Sequence, residues 1–271
     1  MNLKEKIILI TGSTDGMGKQ AALDLLKKGA HVIIHGRNKE KAENTANELK
    51  MDSKSEKIDY VWADFTRLDE VREMAKQVHQ KADRIDILIN NAGVYQTEKQ
   101  ITEEGLEYTF VINHLSHFLL TNLLLDIIKK GNASRIVNIA SQVQLDSINF
   151  NNLNAEQRFS GTHAYALSKT CNIMFTYELA ERLKDSGITV NCLHPGVINT
   201  KLLRQGFGPI GQPVEVGAEN EIWVATSPEL DNITGKYFKN RTAQRSSEVT
   251  YDQEARDKLW GISEKLTKIN Y

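Results

Sequence analysis

The feature that most constrains the fold is a regular alternation between short apolar runs and longer amphipathic stretches. Six apolar runs are candidate strands, at residues 7–11, 31–35, 60–62, 85–90, 135–140 and 189–194. Helical patterns lie between them, at about residues 17–28, 39–50, 68–81, 106–130 and 163–185. This alternation predicts an α/β fold with a doubly wound, mostly parallel sheet and helices on both faces. A last run at 235–238 would add an edge strand and make the sheet seven-stranded.

Length and charge restrict the class of ligand. No repeat or linker divides the chain, so we expect a single domain over residues 1–271. Lysine and arginine number 34 and aspartate and glutamate 35, which leaves a net charge of -1. The chain therefore lacks the excess of basic residues that nucleic-acid binding favours, and we expect a small-molecule ligand. Cys171 and Cys192 have no metal-binding spacing.

The chain also lacks signals for membrane insertion or secretion. The most apolar stretch, residues 118–128, is too short for a membrane span. Residues 1–6 are charged and a strand follows at once, so a secretory leader has no room. These observations predict a cytoplasmic location. His114 and His117 lie three residues apart without a third ligand, which predicts packing roles and no metal site.

A glycine turn, residues 11–18, joins the first strand to the first helix. Gly12 can make the tight turn, Gly16 lets the backbone approach a pyrophosphate, and Gly18 lets the helix pack close to the strand. The alternative is a plain strand-to-helix turn, because the spacing differs from the GxGxxG pattern. Cofactor contacts are expected from Gly12, Ser13, Thr14, Asp15, Gly16, Met17 and Gly18.

The end of the second strand predicts which nicotinamide cofactor binds. About twenty residues beyond the glycine turn, where the adenosine ribose would lie, stand Arg37 and Asn38 instead of an acidic residue. A guanidinium pairs with phosphate, so Arg37 favours NADP over NAD. The alternative is a solvated surface arginine.

Two residues on one predicted helix are candidates for acid/base catalysis. Tyr165 and Lys169 are four residues apart, hence on one face of their helix. An ammonium favours the ionised phenol, so we expect Lys169 to lower the pKa of Tyr165 and Tyr165 to donate a proton to a carbonyl oxygen. Ser141 ends the fifth strand and can hold the same oxygen. In isolation such a pair is more often a surface contact.

Taken together, these motifs resemble the short-chain dehydrogenase/reductase family over nearly the whole chain. The matching residues are Thr11-Gly12-x-x-x-Gly16-x-Gly18, Asn90-Asn91-Ala92-Gly93, Asn113, Ser141, Tyr165-x-x-x-Lys169 and Pro195-Gly196. The segments 146–154, 164–169, 193–197 and 235–238 are similar to the retinol-dehydrogenase-like and WW-domain-oxidoreductase-like branch, whose members often use NADP(H) and apolar carbonyls.

The resemblance implies residue roles. A catalytic tetrad would comprise Asn113, Ser141, Tyr165 and Lys169, with Asn113 holding a helix kink and a water, and Lys169 also binding the nicotinamide ribose. Further cofactor contacts would come from Asp64 and Phe65 at the adenine, Asn91, Ala92 and Gly93 at the adenosine ribose, and Pro195, Gly196, Val197, Ile198 and Thr200 at the nicotinamide. The helices at 106–130 and 163–185 would pair in a homodimer or homotetramer.

These inferences predict an NADP(H)-dependent oxidoreductase that moves a hydride between nicotinamide and an apolar aldehyde, ketone or alcohol. The glycine-rich segment 199–213 lacks periodicity and is a candidate lid over the substrate. The alternatives are a catalytically silent cofactor-binding sensor, since fold does not fix function, and an epimerase or dehydratase, whose relatives usually carry a larger substrate domain.

Overall fold

Within residues 1–269, a sheet of eight strands runs through the fold in the order β3-β2-β1-β4-β5-β6-β7-β8. The computed structural model describes residues 1–269, so Asn270 and Tyr271 of the predicted domain lie outside the described residues. The strands are β1 (Ile7–Ile10), β2 (His31–Gly36), β3 (Ile58–Trp62), β4 (Ile87–Asn90), β5 (Arg135–Ile139), β6 (Thr189–His194), β7 (Lys236–Lys239) and β8 (Thr242–Gln244).

The sheet confirms the predicted α/β class and differs in strand number. Strands β1 to β7 are parallel to their neighbours, and β8 pairs antiparallel with β7. Strand β8 was not predicted, because its three residues are all exposed and form no apolar run. The central strands β4 and β5 are buried at every residue, as expected for parallel strands that are covered on both faces.

Helices cover both faces of the sheet. In chain order they are α1 (Gly16–Lys27), α2 (Lys39–Ser53), α3 (Leu68–Lys81), α4 (Tyr108–Phe110), α5 (Ser116–Leu123), α6 (Leu125–Ile128), α7 (Gly161–Arg182), α8 (Lys201–Phe207), α9 (Val214–Thr226) and α10 (Gln253–Thr267). One apolar cluster joins α3, α5, α7 and α10 to the sheet, and a second joins α1, α2 and α9 to the other face.

The order of the strands locates a crevice. The chain runs outward from β1 through β2 to β3, and then returns to β4 on the opposite side of β1. Ligands of open α/β sheets bind at such a reversal, outside the carboxyl ends of the strands. The segments that follow β1 and β4 therefore frame the expected site.

The helix predicted at 106–130 is interrupted. A π-helical turn, Val111–Leu115, separates α4 from α5, and Asn113 is its central residue. Single π turns inside helices are frequent at functional sites. The position where the family resemblance implied a helix kink is therefore the centre of a π-helical turn.

Three helices were absent from the sequence prediction. The segment 199–213 was expected to be irregular, but it contains α8, which is too short for a periodic pattern to emerge. Helix α9 buries one face that includes Gly217 and Glu221, while Val216 and Trp223 lie on its less buried side, so the sequence shows no clear amphipathic pattern. Helix α10 ends the described chain.

Helix α10 packs against α5 and α7. The ring of Trp260 lies 4.9 Å from that of Phe118 and 6.0 Å from that of Phe175, measured between centroids. Every residue of α7 from Ala164 to Ala180 is buried, as is every residue of α5 from Ser116 to Asn122. Among residues 1–269, no helix is long and apolar enough to cross a membrane.

Candidate active site

A cavity of about 740 Å³ opens at the carboxyl edge of the sheet and gathers most of the predicted site residues. It is lined by Gly12, Thr14, Asp15, Gly16, Met17, Gly18, Arg37, Asp64, Phe65, Asn91, Ala92, Gly93, Ser141, Tyr165, Lys169, Pro195, Gly196, Val197, Ile198 and Thr200. Of the predicted residues, Ser13, Asn38 and Asn113 are not among its lining residues.

Close backbone packing shapes the glycine turn. Gly12 has a positive φ of 63°, and a Cβ there would lie 2.8 Å from the Cα of Ala92. The hydroxyl of Thr11 accepts hydrogen bonds from the backbone N–H groups of Asn91 and Ala92, both at 2.9 Å. The segment after β4 is thus fixed against the turn, which leaves the amino end of α1 facing the cavity as an anion site.

Ser13 and His35 support the turn from behind. The Ser13 hydroxyl donates to the carbonyl of Ile10 and accepts from the backbone N–H of His35. His35 Nδ1 accepts from the N–H of Gly12 at 3.0 Å, so the ring proton lies on Nε2 and is donated to the carbonyl of Ala63. Burial lowers the pKa of His35 to about 4, which keeps the ring neutral. Sequence reasoning missed this histidine because its partners come from two other strands.

Arg37 and Lys41 bring positive charge to the adenosine end of the cavity. Both line it, and Arg37 Nε lies 3.3 Å from Oδ2 of Asp64. Asn38 instead caps α2, because its side chain accepts a hydrogen bond from the N–H of Lys41. A Cβ at Gly36 would lie 2.7 Å from Thr14, so this position cannot take an acidic side chain without rearrangement.

Tyr165 and Ser141 meet at the opposite end. Both residues are buried at the carboxyl edge of the sheet, and both line the cavity. Burial raises the pKa of Tyr165 to about 12, and the nearby Ser141 hydroxyl lowers it only in part. The lowering expected from Lys169 is therefore not found, because desolvation dominates the shift and Ser141 alone opposes it. Tyr165 is a protonated phenol at neutral pH.

Lys169 is held beside Tyr165. Its ammonium donates a hydrogen bond to the carbonyl of Ile139 at 2.9 Å and lies 5.7 Å from the centre of the Tyr165 ring. Burial lowers the pKa of Lys169 to about 8, and the attraction of Glu221 opposes that shift. The lysine therefore remains a cation at neutral pH.

Asn113 acts on the backbone of the segment after β4. Its amide oxygen accepts from the N–H of Val94 at 2.8 Å, and its amide nitrogen donates to the carbonyl of Val94 at 3.0 Å and to the hydroxyl of Ser168 at 2.9 Å. The π turn places the Asn113 side chain between this segment and α7. Asn113 thereby joins the segment after β4 to the helix that carries Tyr165 and Lys169.

The remaining wall is formed by the segment after β6 and by the lid, residues 199–213. Thr200 caps α8 by accepting from the N–H of Leu203, and Lys201 forms an ion pair with Asp15 of the glycine turn. Lining residues that were not predicted individually from the sequence include His35, Lys41, Val94, Tyr108, Ile112, Val143, His194 and Val214, together with Lys201, Leu202, Leu203, Arg204, Phe207 and Ile210 of the predicted lid. Most carry no motif, and only the fold brings them together.

Comparisons with known proteins agree with this geometry. The family model described as short chain dehydrogenase matches residues 6–207. Retinol dehydrogenase 14 of Homo sapiens is 37% identical over an alignment that covers 96% of this chain and 86% of the relative. An uncharacterized Mycobacterium paratuberculosis protein of known structure is 28% identical with a TM-score of 0.81, covering 98% of this chain and 94% of that one. A short chain dehydrogenase from Shigella flexneri, solved in complex with NADP, is 24% identical with a TM-score of 0.72, covering 88% and 98%.

Proposed function

Since the chain belongs to the short-chain dehydrogenase/reductase family, in its retinol-dehydrogenase-like branch, we propose that it interconverts apolar alcohols and carbonyl compounds with NADP(H) as the hydride carrier. The family assigns it to the NAD(P)-dependent oxidoreductases that act on alcohol or carbonyl groups. The observation that carries the finer proposal is one cavity with Ser141, Tyr165 and Lys169 at one end and Arg37 and Lys41 at the other.

The residues present fit a nicotinamide dinucleotide. The glycine turn would hold the pyrophosphate at the amino end of α1, where Gly12 and Gly18 keep the space free of side chains. Asp64 and Phe65 would border the adenine, and Lys169 would reach the ribose next to the nicotinamide. The bound cofactor supplies or accepts the hydride.

Proton transfer falls to Tyr165. Its buried hydroxyl is protonated at neutral pH, so it can donate to a carbonyl oxygen during reduction. The Ser141 hydroxyl would hold the same oxygen in place. The ammonium of Lys169, within 5.7 Å of the phenol ring, stabilises negative charge on the phenol once the proton has left. Asn113 would position the segment after β4, and a water of the proton relay beside it follows the family's pattern.

The preference for NADP rests on two cations. Arg37 and Lys41 line the cavity in the first turn beyond β2, where the 2′-phosphate of an adenosine ribose would lie. Arginine and lysine both bind phosphate, arginine with two parallel hydrogen bonds. The tight packing around Gly36 disfavours the acidic side chain that would accept the ribose hydroxyls of NAD.

The substrate proposal rests on the character of the wall near Tyr165. The lining residues contributed by the lid and by the segments after β4 and β5 are largely apolar: Val94, Val143, Leu202, Leu203, Phe207 and Ile210. Phe207 and Ile210 are also exposed, at 41% and 53%, which favours an apolar molecule under the lid. The retinol dehydrogenase relative is named for an alcohol of this kind.

A substrate panel tests the proposal. Purified protein is mixed with NADPH or NADH and with aldehydes and ketones of increasing apolar chain length, including retinal, while nicotinamide absorbance is followed. We expect NADPH oxidation that becomes more efficient as the apolar chain lengthens. Activity confined to small polar carbonyls would refute the substrate class, and tight NADPH binding without turnover of any compound would support a sensor instead.

The wider organisation is part of the proposal. We treat residues 1–271 as one oxidoreductase domain with 199–213 as its lid. Helix α10 packs on α7 and contacts Phe118 of α5 through Trp260, which argues against subunit pairing through these two helices. The cytoplasmic location stays a prediction from the sequence.

A further inference from the structure

Tyr95 lies between the catalytic helix and the lid. Its ring centroid is 5.6 Å from that of Tyr165 and 5.3 Å from that of Phe207 in α8. Tyr95 is only 5% exposed although it belongs to the irregular segment after β4. The ring is therefore in contact with both α7 and α8.

On one side, Tyr95 is fixed to the start of α7. Its hydroxyl forms a hydrogen bond of 3.0 Å with the hydroxyl of Thr162, three residues before Tyr165 and on the same face of the helix. At the preceding residue, Gly161, a Cβ would lie 2.1 Å from the carbonyl oxygen of Gln96. The segment around Tyr95 is thus in direct contact with the first turn of the helix that carries the proton donor.

On the other side, the ring of Tyr95 supports α8. A Cβ at Gly206 would lie 2.9 to 3.0 Å from three atoms of the Tyr95 ring, so the helix backbone rests directly on the ring. Beside this contact, the amide of Gln205 donates to the side-chain oxygen of Gln96 at 3.2 Å. The carboxyl end of α8 is therefore seated on the segment 95–96.

Helix α8 has little else to fix its position. None of its seven residues is buried in the part of the chain that the structure describes. At its amino end the ion pair between Lys201 and Asp15 joins two exposed side chains, and such pairs contribute little in water. Elements with few buried contacts open at low free-energy cost. The contact with Tyr95 is therefore a main determinant of whether α8 is closed over the cavity.

We propose that Tyr95 is a positioning residue that couples closure of the lid to the placement of Tyr165. When α8 is closed, Gly206 and Phe207 restrict the movement of the Tyr95 ring. The ring in turn restricts the movement of Tyr165, and the Tyr95 hydroxyl holds the first turn of α7 in place. With α8 lifted, one face of the ring is free and the wall beside Tyr165 loosens. The kinetic part of this inference rests on the proposed function, whereas the closure of α8 does not.

The test exploits an opposition between helix propensity and packing. Alanine is a better helix former than glycine, so Gly206→Ala should slow amide hydrogen exchange in α8 if position 206 is merely helical. If α8 rests on Tyr95, the added methyl group collides with the ring and exchange should become faster. In the background of Tyr95→Ala the collision is removed, and Gly206→Ala should then slow exchange. The opposite effects of Gly206→Ala on the exchange rate in the two backgrounds are measured by mass spectrometry with saturating NADP. The measurement does not require turnover.

Kinetics supply the second readout. Tyr95→Ala should raise KM for the carbonyl substrate about tenfold, because closure is weakened, and lower kcat as well. Tyr95→Phe retains the ring and should restore KM, with a smaller loss of kcat from the missing bond to Thr162. Tyr251→Ala is the matched control, since Tyr251 pairs with Tyr177 at 5.3 Å outside the cavity.

The outcomes are decisive in both directions. Slower exchange with Gly206→Ala in both backgrounds, or unchanged exchange and KM in Tyr95→Ala, would overturn the coupling. A reversal of sign together with rescue by Tyr95→Phe supports it. If no carbonyl compound is turned over, the proposed function fails, while the exchange experiment still decides the contact between Tyr95 and α8.

Discussion

The ammonium of Lys169 lies 5.7 Å from the centre of the Tyr165 ring and is held there by its hydrogen bond to the carbonyl of Ile139. Both groups are buried, and burial moves their pKa values in opposite directions, that of Tyr165 up to about 12 and that of Lys169 down to about 8. At neutral pH the pair is a phenol beside a cation. This is the protonation state that carbonyl reduction requires of an acid.

Removing the phenolic hydroxyl tests the role of Tyr165. Tyr165→Phe should lower kcat by about 10² to 10⁴, the usual contribution of one acid/base group, and leave the dissociation constant for NADPH nearly unchanged. The matched control is Tyr177→Phe, which removes from the same helix a buried hydroxyl that bonds Ser246 outside the cavity. Near-normal turnover in Tyr165→Phe, or an equal loss in the control, would contradict the assignment.

The pH dependence of the rate of carbonyl reduction should follow the ionisation of Lys169. Below a pH of about 8 the lysine is charged, and above it the charge is lost, so kcat/KM for carbonyl reduction should fall as pH rises through that value. Lys169→Ala should lower both turnover and NADPH affinity and remove the pH-dependent limb. Lys169→Arg keeps its charge, so any remaining activity should stay level across the same range. A wild-type profile without a decline in the alkaline range would speak against Lys169.

A buried carboxylate in α9 predicts a stability effect. Glu221 is fully buried, and neither of its carboxylate oxygens has a hydrogen-bond partner among the described residues. Burial raises its pKa from 4.5 to about 8, although the attraction of Lys169 opposes the shift. Below pH 4.5 the group is neutral in both states. As pH rises from there to about 8, the unfolded state loses the proton first, so the stability associated with Glu221 is progressively lost.

Glu221→Gln should remove this dependence. At a pH of about 8 the variant should exceed the wild type in free energy of unfolding by roughly 1 to 4 kcal/mol, and the difference should shrink toward pH 4.5. Denaturant titrations across this range measure it. Glu219→Gln, on the same helix but exposed and paired with Arg241, should change little. A difference that is independent of pH would show that Glu221 is ionised in the folded protein.

Local patterns in the sequence were sufficient for the seven parallel strands and for the catalytic helix. Strands such as β4 and β5 are uninterrupted buried runs, and Tyr165 and Lys169 share a face of α7 through spacing alone. The glycine turn was predicted for the same reason, because Gly12 and Gly16, which allow its positive φ angles, lie close together in the chain.

What the sequence did not predict depends on contacts between distant residues or on burial depth. The support that His35 gives to Gly12, and the place of Tyr95 between α7 and α8, arise only when separate segments meet in the fold. The pKa of Tyr165 was expected to fall because the sequence places Lys169 beside it. The desolvation that raises this pKa instead depends on how deeply the folded chain buries the tyrosine ring.

Helix α10 predicts the state of assembly. It covers α5 and α7 through Trp260, whose ring also receives the guanidinium of Arg182 at 4.1 Å from its centroid. Because α10 packs on α7 and contacts α5, we expect no subunit pairing through these helices, and sedimentation should give the mass of one chain. Trp260→Ala should lower the free energy of unfolding by about 3 to 5 kcal/mol, the usual cost of deleting a buried aromatic side chain. A stable dimer that persists on dilution would require a different interface.

Cofactor choice is the remaining prediction, and it turns on Arg37 and Lys41. If each makes a charge-assisted bond with the 2′-phosphate, each contributes about 1.5 to 3 kcal/mol, or roughly one to two powers of ten in affinity. NADPH should therefore bind more tightly than NADH. Arg37→Ala should remove most of this difference by weakening NADPH, and Lys41→Ala should remove part of it. NADH affinity should change little in either variant, and added salt should reduce the preference because both cations are exposed.

The matched control for cofactor choice is Lys39→Ala. Lys39 lies in the same turn of α2 with its ammonium 5.4 Å from the ring of Trp62, and it does not line the cavity. If only the general positive potential mattered, this variant would weaken NADPH as much as Lys41→Ala does. Because a direct contact acts at hydrogen-bond distance, we expect the NADPH to NADH ratio of Lys39→Ala to equal that of the wild type. Equal affinities for the two cofactors in the wild type, or an unchanged ratio in Arg37→Ala, would leave Arg37 as a surface partner of Asp64 alone.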